Sequence, residues 1–380
     1  MAVMWANGFV DRGHEVMVVS NLFDPVLYRL DGRILVRYLV TNNRNKIKKW
    51  CSSFSQARKH FKEFNPDVVI GVMEMCSMVS KVASWGLRIP VVMTEHYAFE
   101  RLPYGNLTVV ERISKFWVNK IYSQVTVLTE ADKKVIGDRL KNVHVMSNPL
   151  AMSPLDMIPQ KDRTVLAVGR LDAWKVKGFD VLIRAWGLIN RQLTIDNGQR
   201  TMNNGQYVFQ FSKQKGWRLQ IAGTGSEESL QYLKQLCKES GVEDTVDFLG
   251  FRTDIEELYK HSEIFVLSSR YEGFGLVLIE AMSQGCACVA CDYKGRQKEI
   301  FEELKNEKVE ELKSGSYEVC KNGILCPPED VNSLASALKK MMEDEDYRHQ
   351  AQKNAIERSK YYSIENTMDR WETLLKEIVK

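Results

Sequence analysis

IFVLSSRYEGFGLVLIEAMSQG, residues 264–285, carries the fold in one stretch. Ile264 to Ser269 reads as a short buried strand, a continuous apolar run closed by small polar residues. A Gly273-Phe274-Gly275 turn follows, and a second apolar run, Leu276 to Ile279, fits the opening of a helix. A strand that passes through a glycine turn into a helix is the repeating unit of a parallel sheet covered by helices. Two acids look out of place in it. Glu272 sits on the turn, and Glu280 lies roughly two helical turns further on, among residues that read as buried, Ile279, Ala281 and Met282.

The same alternation runs along the whole chain. Strands are predicted at His14–Ser20, Ile34–Val40, Val68–Val72, Pro90–Thr94, Gln124–Leu128 and Val143–Met146, and then at Thr164–Val168, Trp217–Ala222, Thr245–Phe248, Ile264–Ser268, Ala287–Cys291 and Ile324–Leu325. Between the two series lies SNPLAMSPLDMIPQKD (Ser147–Asp162), with three of the nine prolines and no periodicity. The predicted fold class is therefore α/β, two doubly wound Rossmann-like domains facing a cleft: residues 1–149, a linker at 150–163, and residues 164–360. Asn190–Gly216, rich in Asn, Gln and Gly, reads as a mobile insertion, and the charged Glu302–Ser316 as peripheral. A C-terminal helix, 361–380, is placed to pack back on the first domain. The chain opens MAVMWANGFVDRGHEVMVVS, a helix followed directly by a strand. A Rossmann-type domain ordinarily opens with a strand and a glycine-rich turn, so the first domain is expected to lack both and to be weakened as a catalyst.

Bulk properties narrow the class. With 44% hydrophobic and 27% charged residues, the sequence is that of a globular protein, and no apolar run reaches membrane-spanning length. The eight cysteines form no disulfide framework; Cys286, Cys288 and Cys291 lack a second ligand pair and read as small residues of a buried strand. Reduced thiols and a cytoplasmic location are expected. Residues 1–150 hold 21 Lys and Arg against 13 Asp and Glu, and the remainder 32 against 36. A basic first half suits an anionic partner such as a membrane surface or a phosphorylated acceptor; no nucleic-acid recognition motif accompanies the charge.

Three strand ends in the second half carry polar residues suited to chemistry. In VGRLDAWKVKGFD, Arg170 closes a strand and Lys177 opens the next helix, a fork and a point charge that can converge on a polyanion or simply form a solvated basic loop. In IAGTGSE, Gly223 and Gly225 allow close approach of backbone to a ligand, or serve only the shape of the turn. At Gly273, Phe274 and Gly275 the helix start offers free N–H groups to phosphate. Glu280 beside a phosphate needs hydroxyl donors, as a ribose or hexose supplies, and Glu272 can accept from sugar hydroxyls or stand as a plain surface acid.

Together these features resemble the retaining nucleotide-sugar glycosyltransferases of family 4 (glycosyl transferases group 1), which have the GT-B fold. The resemblance rests on VGRLDAWKVKGFDVLIRAW, LQIAGTGSE, VDFLGF, YEGFGLVLIEAMSQGCACVACD and NGILCPPED in that order, with the E-x7-E pattern of Glu272 and Glu280 the most specific part; RGHEVMVVS, PDVVIGV, VTVLTEADKK and VMSNPL extend it through the first half. It implies that Arg170 and Lys177 hold the donor diphosphate, that Gly273, Phe274 and Gly275 contact phosphate or sugar, and that Glu272 touches the donor sugar and Glu280 the ribose. It also implies that Gly250 and Phe251 line the base pocket, and that His96, in VVMTEHYAFE, lies near the reacting carbon.

The activity so implied transfers a hexose from a nucleotide diphosphate sugar, UDP ahead of GDP, to a glycan or lipid-linked acceptor in cell-surface polysaccharide synthesis. Configuration is retained, the leaving phosphate takes the acceptor proton, and no cofactor or divalent metal is required; the Asp-x-Asp within Glu343–Asp346 reads as a solvated charge run. A donor-binding protein without transferase activity and a nucleotide-sugar epimerase are the alternatives. From Asn43 to Asn65 the residues Ile47, Trp50, Phe54, Phe61 and Phe64 recur at helical spacing among seven Lys and Arg. That stripe is expected to pack on the sheet, leaving the charges free to steer the protein to the inner face of an anionic membrane.

Overall fold

The computed structural model describes residues 1–20, 29–40, 45–100, 113, 115–196, 198–203, 206–211, 216–302 and 315–379. The chain divides into two units, Met1–Ala151 with Tyr362–Lys380, and Met152–Tyr361.

In the first unit β1 (Met17–Ser20) and β2 (Leu35–Tyr38) form a parallel pair, and β3 (Val69–Val72), β4 (Val91–Thr94), β5 (Gln124–Val127) and β6 (Val143–Val145) form a parallel quartet in chain order. The expected strands are all present, yet among the described residues no ladder joins pair to quartet. Shared helices unite them instead. Met17 and Val19 of β1 pack with Val69 of β3 against Ala57 and Phe61 of the helix Lys46–Phe64. Asn45 starts that helix by accepting the amides of Ile47 and Lys48, and Asn65 ends it in a left-handed conformation. Phe61 is buried and Trp50, Phe54 and Phe64 are half-buried, so most of the aromatic stripe faces inward; Ile47, 74% exposed, does not. Asn43 and Arg44 lie outside the described residues. Helix Ala2–Asp11 packs on helix Ile364–Ile378 through Trp5 and Trp371, whose rings are 5.0 Å apart, and Arg12 pairs with Asp369 at 2.6 Å.

The second unit is built on β7 (Asp162–Val168), β10 (Arg218–Ala222), β11 (Val246–Gly250), β12 (Ser262–Leu267), β13 (Ala287–Cys291), β14 (Glu318–Cys320) and β15 (Gly323–Cys326). Their order is β11-β10-β7-β12-β13-β15-β14, parallel except for the β14 edge. Counted along the chain, the six parallel strands run 3-2-1-4-5-6, the doubly wound order, and the winding reverses between β7 and β12. Every residue of β13 is buried, which is why its two cysteines and two alanines read with Val289 as one apolar run. The Asn- and Gln-rich insertion contains a two-stranded antiparallel hairpin, β8 (Gly198–Asn203) and β9 (Gln206–Phe211), which pairs with neither main sheet. Of the charged segment expected to be peripheral, residues 303–314 lie outside the described residues.

The proline-rich segment expected as linker is held by the second unit. Leu155 N donates to the Ser283 carbonyl at 2.9 Å. The Lys161 ammonium donates to the carbonyls of Tyr259, Lys260 and Gln284, each at 2.9 Å, and burial lowers its pKa. Three donors meeting three carbonyls satisfy an ammonium that has left bulk water.

Candidate functional site

In a doubly wound sheet the loops at the carboxyl ends of the two strands flanking the reversal diverge and leave a crevice. Here those strands are β7 and β12, and their loops carry Arg170, Lys177 and Glu272. Lys177 Nζ lies 2.8 Å from Glu272 Oε2, which also accepts the Ser269 hydroxyl at 3.2 Å. Arg170 is exposed, and among the described residues its guanidinium makes no hydrogen bond or ion pair. The structure thus brings Lys177 and Glu272 into direct contact and leaves Arg170 open to solvent beside them on the chain.

The scaffold beneath is tightly specified. Gly178 ends the short helix Trp174–Lys177 at φ +67°, and a Cβ there would stand 1.9 Å from the Ser268 carbonyl oxygen. The Ser268 hydroxyl donates to the Lys177 carbonyl at 2.8 Å. Arg270 grips the same turn: its guanidinium donates to both Asp180 oxygens at 2.6 and 2.8 Å, to Glu329 at 2.7 Å and to the Lys175 carbonyl at 2.6 Å. Neither Arg270 nor Asp180 was singled out by sequence. Their partners lie 90 residues apart, and only the adjacency of β7 and β12 brings them together.

At the helix Leu276–Ser283, Gly275 is the N-cap at φ +87°, and no side chain caps the first amides. Leu278 N already donates to the Gly275 carbonyl at 2.9 Å, which leaves the amides of Leu276 and Val277 available to an anion. Phe274 is buried at 4% exposure, so its side chain serves packing. Glu280 is half-buried between Ile279 and Ala281, both fully buried, and accepts a hydrogen bond from the Tyr259 hydroxyl at 3.3 Å. Burial raises its pKa, and the Tyr259 bond partly offsets that rise. A surface acid on an amphipathic helix would show neither property.

Gly223 and Gly225 have a plain structural reason. A Cβ on Gly223, at φ +148°, would stand 1.8 Å from the Gly169 carbonyl oxygen, and one on Gly225 would stand 2.7 Å from the Asp172 amide. What these glycines approach is the β7 loop itself; Leu171 N donates to the Thr224 carbonyl at 2.8 Å. Gly250 has open space around it at φ +65°, and Phe251 beside it is 72% exposed, an aromatic face on which a flat ring could stack.

His96, in the first unit, follows β4. Its Nε2 lies 2.8 Å from Thr94 Oγ1 and its Nδ1 3.2 Å from Asn148 Oδ1, so both ring nitrogens already have partners. Burial pushes its pKa down to about 4, leaving the ring neutral at pH 7. Next to it Glu95 is fully buried, paired with Lys115 at 2.9 Å, and accepts the amides of His96 and Tyr97 at 3.2 Å each. The histidine expected near the reacting carbon is thus a neutral ring held at both nitrogens. Asp344 of the Glu343–Asp346 run caps the following helix at the Tyr347 amide and pairs with Lys340 at 2.6 Å.

Residues 156–358 match the model of the Glycosyl transferases group 1 family, and residues 1–152 match that of Glycosyltransferase Family 4. The chain belongs to the group 1 glycosyltransferases. An uncharacterized glycosyltransferase of Haemophilus influenzae is 25% identical over 97% of this chain and 93% of its own length. A Campylobacter jejuni alpha-1,4-N-acetyl-D-galactosaminyltransferase, named for an undecaprenol diphosphate-linked saccharide, is 24% identical over 97% and 91%. Among solved structures, a sucrose-phosphate synthase from Thermosynechococcus elongatus superposes with a TM-score of 0.72 at 17% identity, covering 98% of this chain and 91% of its own. Anabaena HepE, solved with UDP and glucose, gives 0.68 at 19% identity over 98% and 94%. These likenesses place the glycosyltransferase in the GT-B fold. Among its described residues no helix is long and apolar enough to cross a membrane.

Proposed function

We propose that this glycosyltransferase moves a hexose-type sugar, with retained configuration, from a nucleotide diphosphate sugar to a glycan or lipid-linked saccharide in cell-surface polysaccharide synthesis. UDP is the proposed carrier ahead of GDP. The observation that carries this reading is the meeting of Lys177, Glu272 and an uncapped helix start at the reversal of the sheet, with the half-buried Glu280 on that helix. The helix amides and the cations Arg170 and Lys177 would face the diphosphate, Glu280 the ribose hydroxyls, Glu272 the transferred sugar and Phe251 the base. The undecaprenol diphosphate in the name of the Campylobacter protein supports a lipid-linked acceptor, and the UDP solved with the Anabaena protein supports UDP.

In this reading the bond from the anomeric carbon to the diphosphate oxygen breaks while the acceptor oxygen bonds to the same face. The acceptor's proton passes to the departing phosphate oxygen. Arg170 and Lys177 offset the negative charge growing on that phosphate, and the Arg270–Asp180 knot holds the backbone of the Lys177 turn beneath them. The scheme assigns no step to a cofactor or a divalent metal.

The acceptor side is proposed to meet an anionic membrane surface. Helix Lys46–Phe64 has no acid in its first turn, against the preference of the helix dipole, and Ile47, Lys48 and Lys49 there are exposed. The location proposed with it is the cytoplasmic face of that membrane. The test is the anomeric configuration of the first-formed product, read by proton NMR with nucleotide sugars and a panel of diphosphate-lipid saccharides. A product of inverted configuration would sink the retaining scheme.

A further inference from the structure

Glu272 stands in an unusual relation to the cation beside it. Its Oε2 holds Lys177 Nζ at 2.8 Å and the Ser269 hydroxyl at 3.2 Å, both side chains of the ion pair being about one-fifth exposed, at 24% and 18%. Lys177 cannot swing away as a unit, because its carbonyl accepts the Ser268 hydroxyl and the next residue, Gly178, is pressed against the Ser268 carbonyl. Only the flexible stem of the lysine is free to redirect its ammonium. Any diphosphate that recruits Lys177 must therefore draw it from Glu272, leaving the carboxylate with one hydroxyl donor and a new anion nearby.

We propose that Glu272 is a specificity-determining residue that favours the intact nucleotide sugar over the bare nucleoside diphosphate; this rests on the donor-site reading above and deepens it. An intact donor brings sugar hydroxyls to the carboxylate as Lys177 turns to the phosphates, so the lost ion pair is replaced by hydrogen bonds. It also caps the outer phosphate, which then carries a single negative charge. The bare diphosphate offers Glu272 no hydroxyl. Its exposed outer phosphate carries a further negative charge near neutral pH, as phosphate monoesters with a second pKa of about 6 do. The carboxylate thus opposes the by-product that remains after transfer, and a site with two cations releases it.

The consequence has an unexpected sign: removing a site residue should tighten binding of one ligand. Calorimetric titration of UDP and UMP is run into the wild-type protein and Glu272→Gln, with GDP and GMP used if guanine is the base that binds. UDP is expected to bind Glu272→Gln roughly threefold to tenfold more tightly than wild type, the size expected from a partly exposed charge pair. UMP, which lacks the outer phosphate, should change less than twofold by the same reasoning. Thermal melting checks that the variant is folded, and Glu272→Ala replaces it if it is not. Equal or weaker UDP binding by the folded variant overturns the proposal. If wild type binds neither UDP nor GDP, the donor-site reading itself fails, a result distinct from an unchanged ratio.

Discussion

The ends of β4 and β12 look alike in sequence, a buried apolar run followed by an acid and a basic or imidazole neighbour, yet they are built to opposite purposes. After β4 everything is closed. Glu95 takes Lys115 and two backbone amides, and His96 has a partner on each ring nitrogen. After β12, and on the neighbouring β7 loop, the groups are held from behind and open in front. Arg270 and Ser268 fix the backbone around Lys177, while Arg170 faces solvent and the helix amides after Gly275 have no capping side chain. A polar residue at a strand end marks a ligand site only when its partners support the backbone and spare the functional atoms.

The same truncation at two lysines separates these cases most sharply. Lys115→Met leaves Glu95 buried without its cation and should cost about 3–5 kcal/mol of stability, seen as a fall in the denaturation midpoint. Lys177→Met removes a partly exposed pair, where screening limits the loss to about 1 kcal/mol, but should weaken nucleoside diphosphate binding by roughly tenfold or more. A Lys177→Met protein that melts as badly as Lys115→Met would show that the β12 end is also a structural knot.

His96 gives the next effect. Its pKa in the folded chain, pushed down to about 4 by burial, lies below the ordinary value of 6.5. Above pH 6.5 both states are neutral and the group contributes nothing to pH dependence. As pH falls from there toward 4 the unfolded chain takes a proton that the folded one refuses, so about 3 kcal/mol of stability is lost across that window. In His96→Gln the wild-type loss between pH 7 and pH 4.5 should shrink by about 2 kcal/mol in chemical denaturation. An unchanged pH profile would mean that the ring is already accessible and able to take part in proton transfer.

Much of the fold was legible because the second sheet is built from uninterrupted apolar runs; Ala287–Cys291 emerges with its expected limits. The strand expected at Thr245–Phe248 extends instead over Val246–Gly250, since its pairing with β10 shifts register at Ala222 and Gly250 closes it with a left-handed residue. Edge strand β14 and the β8–β9 hairpin were not foreseen: Glu318–Cys320 is too short to show a period, and Gln-rich composition hides an alternation that pairs only with itself. In the site, Glu280 was legible as an acid among buried neighbours. Its Tyr259 partner, the Arg270–Asp180 knot and the Asn148 contact to His96 were not, because each joins segments 21 to 90 residues apart and has no local pattern. For Gly223 and Gly225 the sequence left ligand and turn shape open, and the contacts with Gly169 and Asp172 are explained by shape.

Everything proposed here rests on a nucleoside diphosphate seated at the reversal of the second sheet, with Glu280 beneath its ribose. Calorimetric titration of UDP and of GDP into the wild-type protein and into Glu280→Ala tests this directly. One nucleotide should bind wild type, and the substitution should weaken it about tenfold or more, as expected when a carboxylate that accepts hydroxyl hydrogen bonds is lost. Binding of neither nucleotide to wild type, or equal binding to the folded Glu280→Ala protein, would contradict that placement.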